Sequence, residues 1–254
     1  MFSIFRRSSP KIFPAFDFIG VDMHNHLLPG IDDGSADAEQ SLELIEKMQE
    51  LGYHSFSCTP HIISDVHPNT PDTIKGAYAD LKGYLKETGK QVPLQFAAEY
   101  MVNADFDDLL DNSTLLHFGK DKKYVLIEMS YAVESPNIRE AIFNLLMKGY
   151  QPILAHPERY PFYHNPSLRD YEKLIDGGCE FQVNLLSLGG YYGPPQKEFA
   201  QKFIDRGWVT WVGSDLHHER HIEAMVRVAN DKKAMKYLHK IQDLRNPSLQ
   251  ITQA

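Results

Sequence analysis

Short apolar runs that end in an ionisable side chain recur along the whole sequence, and no other feature restricts the possible folds as strongly. The first is Val21-Asp22-Met23-His24-Asn25-His26, which passes through Pro29-Gly30 into Asp32-Asp33-Gly34. In an extended strand residues i and i+2 share a face, so His24 and His26 converge on one point. The construction returns at His61, Glu99, Glu128 and His156, and at Asp215 with His217. A single His-x-His pair is an ordinary polar strand end, and a lone Glu99 or Glu128 would simply pair with an arginine. Placing an acid or imidazole at every strand end is different, because desolvating it is costly unless a cation compensates.

Helical periodicity separates these runs. The pattern predicts strands over residues 21–26, 54–61, 93–102, 124–130, 152–156, 181–186 and 208–215. Helices are predicted over 36–51 (with Ser35 as N-cap), 70–88 (capped by Thr70, with Pro71 in the first turn), 138–148, 168–175, 196–206 and 222–240. Residues 103–119 read as irregular with one short helix. Strand–helix alternation with nearly all-apolar strands indicates an α/β fold with a parallel sheet covered by helices. Functional residues at many strand ends favour a closed or nearly closed barrel over an open doubly wound sheet, which gathers them at one crevice. No linker interrupts the pattern, so residues 20–245 form one domain, preceded by an arm over 1–19 and followed by a loose tail over 246–254.

The net charge of −8 argues against a nucleic-acid footprint. Cys58 and Cys179 are the only cysteines, which excludes a disulfide framework and favours a reducing, cytoplasmic setting. No apolar run reaches the ~18 residues of a membrane span. Cysteine-based phosphate chemistry is also excluded. It needs an arginine closing a loop after the thiolate, and Ser64 and Leu185 stand where that arginine would follow Cys58 and Cys179.

The donors left are His24, His26, Asp33, His61, Glu99, Glu128, His156, Asp215 and His217, with Asp32 the competitor of Asp33. Mixed imidazole and carboxylate suits manganese, iron or zinc, and so many donors exceed the ~4–6 places around one ion. Two or three divalent ions with a bridging carboxylate are expected. Such clusters suit hydrolysis at phosphorus. Arg159, directly after His156-Pro157-Glu158, would hold phosphate oxygens in two-pronged fashion, or else pair with Glu158 or another acid. The loop from Gly189 to Pro195, rich in Gly, Tyr and Pro, either lines a substrate entrance or is packed for rigidity.

The ordered set His24-Asn25-His26…Asp32-Asp33-Gly34, Thr59-Pro60-His61, Ala98-Glu99-Tyr100, Ile127-Glu128, Ala155-His156-Pro157-Glu158-Arg159 and Gly213-Ser214-Asp215-Leu216-His217 resembles the polymerase-and-histidinol-phosphatase (PHP) family. Within it, the chain is most similar to the manganese-dependent protein-tyrosine phosphatases of bacterial capsule and exopolysaccharide clusters. The resemblance implies a distorted seven-stranded (β/α)7 TIM-like barrel of the PHP type. It implies a first metal on His24, His26, Glu99 and Asp215, a second bridged by Glu99 to Glu128 and His156, and a third on Asp33, His61 and His217. Manganese is the implied ion, with iron and zinc acceptable to the same donors. Arg159 corresponds to the family's phosphate-binding arginine, and Arg220 is the candidate for a second one, although it stands early in His217-His218-Glu219-Arg220-His221. The implied substrate is a phosphotyrosine protein, such as a bacterial tyrosine kinase; a phenolate needs no strong general acid, and His217 or a metal-bound water would assist its departure. The rival readings are a phosphatase of a small phosphomonoester such as histidinol phosphate, and a PHP-like module whose metals only stabilise the fold.

Overall fold

The computed structural model describes residues 11–249 and residue 251; residues 1–10 of the expected arm and residues 250 and 252–254 of the expected tail lie outside them. The chain runs β1 (Val21–Asp22), α1 (Ala38–Glu50), β2 (Ser55–Cys58), β3 (His61–Ile62), α2 (Pro71–Glu87), β4 (Leu94–Phe96), β5 (Glu99–Met101) and α3 (Phe106–Asn112). It continues through β6 (Lys123–Glu128), α4 (Ile138–Met147), β7 (Tyr150–Ala155), α5 (Arg169–Asp176), β8 (Glu180–Asn184) and α6 (Leu185–Gly189). The last elements are α7 (Pro194–Asp205), β9 (Val209–Gly213), α8 (Glu219–Asn230) and α9 (Lys232–Leu238).

All strand pairs are parallel, in the order β1-β2-β4 in one sheet and β3-β5-β6-β7-β8-β9 in the other. The expected closed barrel of seven strands is therefore corrected to an α/β fold with sheets of three and six strands. Two expected strands each break in the middle. The run over 54–61 breaks at Thr59-Pro60, since Pro60 has no N–H to give to a ladder, and the run over 93–102 breaks at Ala97-Ala98. Single bonds cross the gap: Ala97 N–H donates to Cys58 O (2.8 Å) and Glu99 N–H to Pro60 O (3.0 Å). The ends of the first and last strands meet through one parallel bridge, Asn25 with Leu216. There His26 N–H donates to Leu216 O (2.9 Å) and Asp215 N–H to His24 O (2.8 Å).

Strands covered on both faces explain the apolar runs; every residue of β7 is buried. Thr70 caps α2 as expected, accepting from Thr73 N–H at 3.2 Å. The α1 cap is Asp37 rather than Ser35, because Ser35 is held in a turn by its N–H to His26 O and its carbonyl to Gly30 N–H. The long final helix divides where Asp231 accepts from Lys233 N–H and caps α9. Phe16 and Ile19 are fully buried, so the arm joins the core from there on. Asn246 is also fully buried: its amide donates to Val21 O (2.9 Å) and Val212 O (2.7 Å) and its oxygen accepts from Val212 N–H (3.0 Å). The head of the expected loose tail is thus a plug between β1 and β9. Both cysteines are free and buried. No helix among the described residues is long and apolar enough to cross a membrane.

Candidate metal centre

Because the strands are parallel, the residues that follow or end them gather at one face. His24 and His26 leave β1, His61 opens β3, Glu99 opens β5, Glu128 ends β6, His156 follows β7, and Asp215 and His217 follow β9. Glu99 is fully buried at the centre. Its Oε2 lies 3.2 Å from His24 Nε2, 3.5 Å from His26 Nε2 and 3.1 Å from His61 Nδ1, and its Oε1 lies 3.1 Å from His156 Nε2. His61 Nδ1 also stands 2.9 Å from Glu128 Oε1. Asp215 Oδ1 is 3.4 Å from both His24 Nε2 and His26 Nε2.

The carboxylate oxygens of Glu99 and Glu128 face these nitrogens without hydrogen-bonding geometry. Both Glu99 oxygens, Glu128 Oε1, His61 Nδ1 and His156 Nδ1 are buried and have no hydrogen-bond partner. An unpaired buried carboxylate is strongly unfavourable. Convergent donors in this state fit shared cations. Four overlapping sets have donor atoms all within 4.8 Å of one another: His26, Asp33, His61 and His217; His24, His156 and Asp215; His24, His26 and Glu99; and His61, Glu99 and Glu128.

A surrounding layer fixes the rings. Gln182 Oε1 accepts from His24 Nδ1 (2.8 Å), Asp32 Oδ2 from His26 Nδ1 (2.8 Å), and the Asp215 carbonyl from His217 Nδ1 (2.9 Å). Each bond holds a proton on Nδ1 and aims Nε2 inward, where it would offer a lone pair to a bound cation. Asp32 also accepts from Gly34 N–H (3.0 Å) and His61 N–H (3.2 Å), so it orients the set. Asp33 instead faces the donors, 3.3 Å from His217 Nε2 and 3.6 Å from His61 Nε2. That separates two aspartates the sequence left in competition.

Local backbone serves the same end. His156 (φ 36) and Asp215 (φ 52) are left-handed without being glycine, a conformation that costs about 1–3 kcal/mol and turns each chain sharply at its strand end. A Cβ on Gly213 would lie 2.7 Å from His24 Cβ, so only glycine lets β9 approach that ring.

Charge follows from this crowding. Burial alone would raise Glu99, but His24 and His61 hold it well below the usual carboxylate range. Burial and the Glu99 charge push Glu128 up. At His61 burial opposes the charge, yet Glu99 and Glu128 lift the imidazole to about 10. His156, desolvated and beside Arg159, falls to about 4 and stays neutral. Burial would likewise raise Asp32, but His26 brings it down to about 2.

A cavity of about 450 Å³ opens over the donors, with Asp33, His61, Glu128, Arg159, Asp215 and His217 in its wall. Arg159 Nη1 donates to Asp215 Oδ2 at 2.5 Å, not to Glu158. Glu158 is occupied in holding the next strand end, accepting from Asn184 N–H (2.9 Å) and Ser187 Oγ (2.6 Å). Arg220 does not join the site. It stands exposed in the first turn of α8, outside the residues that line the cavity, because the helix has already begun at Glu219. Sequence reasoning missed Gln182 and Asn184, whose i, i+2 spacing at the end of β8 repeats the His24–His26 signal with amides. It also missed Tyr131, which lines the cavity; of the two readings of the loop over 189–195, Tyr192 follows the first and lines the cavity too.

Replacing Gln182 with leucine frees the His24 ring to turn. Manganese affinity measured by calorimetry is expected to fall about 10–100-fold in Gln182→Leu. Unchanged affinity would show that the amide does not orient the ring.

Comparison with known proteins accords with this geometry. A family model described as capsular polysaccharide synthesis, CpsB/CapC, matches residues 20–249. Tyrosine-protein phosphatase YwqE of Bacillus subtilis is 31% identical over 202 residues, covering 78% of this chain and 77% of its own. Tyrosine-protein phosphatase CpsB of Streptococcus pneumoniae is 28% identical over 222 residues, covering 85% and 90%. A crystal structure from work on those two proteins, described as unique metal-dependent tyrosine phosphatases, superposes with a TM-score of 0.74 at 28% identity over 90% of each chain. A phosphotriesterase homology protein from Escherichia coli, complexed with phosphate in its active site, has a TM-score of 0.52 at 12% identity over 90% of this chain and 97% of its own, and shares the fold alone. With nearly its whole length matched, the chain belongs to the CpsB/CapC family of capsular polysaccharide synthesis.

Proposed function

We propose that this protein is a metal-dependent protein-tyrosine phosphatase that hydrolyses phosphotyrosine in a protein substrate. The observation that carries the reading is the set of buried, unpaired donors around Glu99, roofed by Arg159. We assign His24, His26, Glu99 and Asp215 to one ion, Glu99, Glu128 and His156 to a second, and Asp33, His61 and His217 to a third. Manganese is our choice of ion. When bound, such ions acidify water and draw charge from phosphoryl oxygens.

The chain's own groups do the rest. Arg159 presents N–H groups to the oxygens of the ester, and Asp215 and Asn184 keep that corner in place through Oδ2. His217 was expected to assist the leaving group as well as bind metal. Its Nδ1 is committed to the Asp215 carbonyl and its Nε2 faces Asp33, so no nitrogen remains to deliver a proton. A phenolate leaves readily enough without a strong acid. The physiological setting we favour is the cytoplasm, with a tyrosine kinase of polysaccharide export as substrate, in line with the family's role and the free cysteines.

The test is a turnover panel with the manganese-loaded protein. Phosphotyrosine peptides are expected to be cleaved with far higher kcat/KM than histidinol phosphate. The reverse preference would replace this reading with that of a small-metabolite phosphatase.

A further inference from the structure

Arg159 is held by more than its ion pair. Its guanidinium carbon lies 4.5 Å from the ring centre of Tyr131 and 4.0 Å from that of Tyr192, so the group sits against two aromatic rings. Each ring is itself supported. Tyr131 stacks on the fully buried Tyr160 at 5.9 Å. Tyr192 meets Tyr191 edge-on at 5.1 Å, and its hydroxyl accepts from Asn184 Nδ2 at 3.3 Å. The same Asn184 amide donates to Asp215 Oδ2 (3.0 Å), the oxygen that Arg159 also uses.

This arrangement answers a problem set by the metal centre. Asp215 Oδ1 faces His24 and His26, and Oδ2 faces Arg159. A cation held among the histidines would draw charge from Asp215 and weaken its hold on the guanidinium. Attraction between a guanidinium and ring faces does not depend on that carboxylate, and it leaves the in-plane N–H edges free for an anion. We infer that Tyr131 and Tyr192 are positioning residues that form an aromatic clamp, fixing the Arg159 plane for the phosphoryl oxygens. The inference rests on the phosphatase reading, and its test does not require turnover.

The experiment measures binding of inorganic phosphate to the manganese-loaded full chain by calorimetry, in a double-mutant cycle of Tyr192→Leu and Arg159→Ala. Tyr192→Leu is expected to weaken phosphate binding about tenfold. Tyr192→Phe, which keeps the ring, is expected to stay within about twofold of wild type. In the Arg159→Ala background, Tyr192→Leu should add less than about twofold, because its effect passes through the missing guanidinium. With phosphotyrosine peptide, Tyr192→Leu should raise KM more than it lowers kcat. Tyr131→Leu is read in the same cycle and gives the answer if the first variant misfolds. Additive losses in the cycle, wild-type affinity in both leucine variants, or no phosphate binding by the loaded wild type would each overturn the clamp. If wild type binds phosphate and the cycle is coupled but phosphotyrosine is not turned over, the clamp stands and the functional reading falls.

Discussion

Stripping divalent ions from the purified protein is expected to lower turnover of a phosphotyrosine peptide by more than about a thousandfold, and added manganese to restore it. The size follows from what remains without metal. Glu99 is then balanced only by protonated imidazoles, chiefly His24 and His61, and nothing is left to acidify a water or neutralise a phosphoryl group. Stability should move too. An ion bound at a thousandfold excess over its dissociation constant contributes about 4 kcal/mol, which in a chain of this size corresponds to a Tm change of about 10 °C. Calorimetric scans before and after chelation, alongside elemental analysis, check both. Full turnover in protein shown to be metal-free would end the proposed chemistry, and a loss of Tm with no loss of turnover would point to ions that only brace the fold.

Arg159→Ala carries the second large effect. The Arg159 side chain is 17% exposed, and its charged guanidinium is fixed at the cavity wall by Asp215. Losing a preorganised donor of this kind lowers kcat/KM by about 10²–10³, or about 3–4 kcal/mol of transition-state stabilisation. Arg159→Lys should recover little, since a lysine ammonium offers one point of charge where the planar fork offers two donors. Metal content is expected to be unchanged in both variants, because Asp215 keeps its Oδ1 toward His24 and His26 and its Asn184 partner on Oδ2. Wild-type kinetics in Arg159→Ala would remove this residue from substrate binding. Loss of metal together with activity would make it a support of Asp215 alone.

Much of the fold was legible because strands buried on both faces must be apolar, and their ends announce themselves when an acid or histidine interrupts the run. Places where backbone chemistry overrides that pattern were not legible. Pro60 splits one expected strand and Ala97-Ala98 another, and the result is two sheets in place of a continuous barrel wall. Leu185 and Leu186 looked like the end of a strand, but Asn184 accepts from Leu186 N–H at 2.9 Å and starts α6 instead. Asp231, one polar residue in a long helical pattern, is enough to restart the helix as α9. Asn246 looked like the start of a polar tail because sequence gives no sign that its amide fills the space between two distant strand carbonyls.

That these side chains gather at one face was legible for a related reason: nine ionisable groups in otherwise apolar surroundings leave few alternatives. Neutral residues that hold those donors were not, since Gln182 and Asn184 resemble any other amides until they are seen against His24 and Asp215. The choice between Asp32 and Asp33 needed coordinates, because neighbouring residues in a turn point opposite ways. Arg220, a candidate only through the family resemblance and early in its segment, stands exposed in the first turn of α8, away from the cavity wall.

The meeting of Asp22 with Ser214 makes the donor set depend on the docking of the last strand against the first. The Asp22 carboxylate accepts from both the N–H (3.0 Å) and the hydroxyl (2.6 Å) of Ser214, across 192 positions of sequence. His24 lies two residues beyond one partner and Asp215 directly beyond the other, so Asp215 and His217, two of the nine donors, join the set only when the last strand docks. That clasp between β1 and the end of β9 is what brings Asp215 against His24.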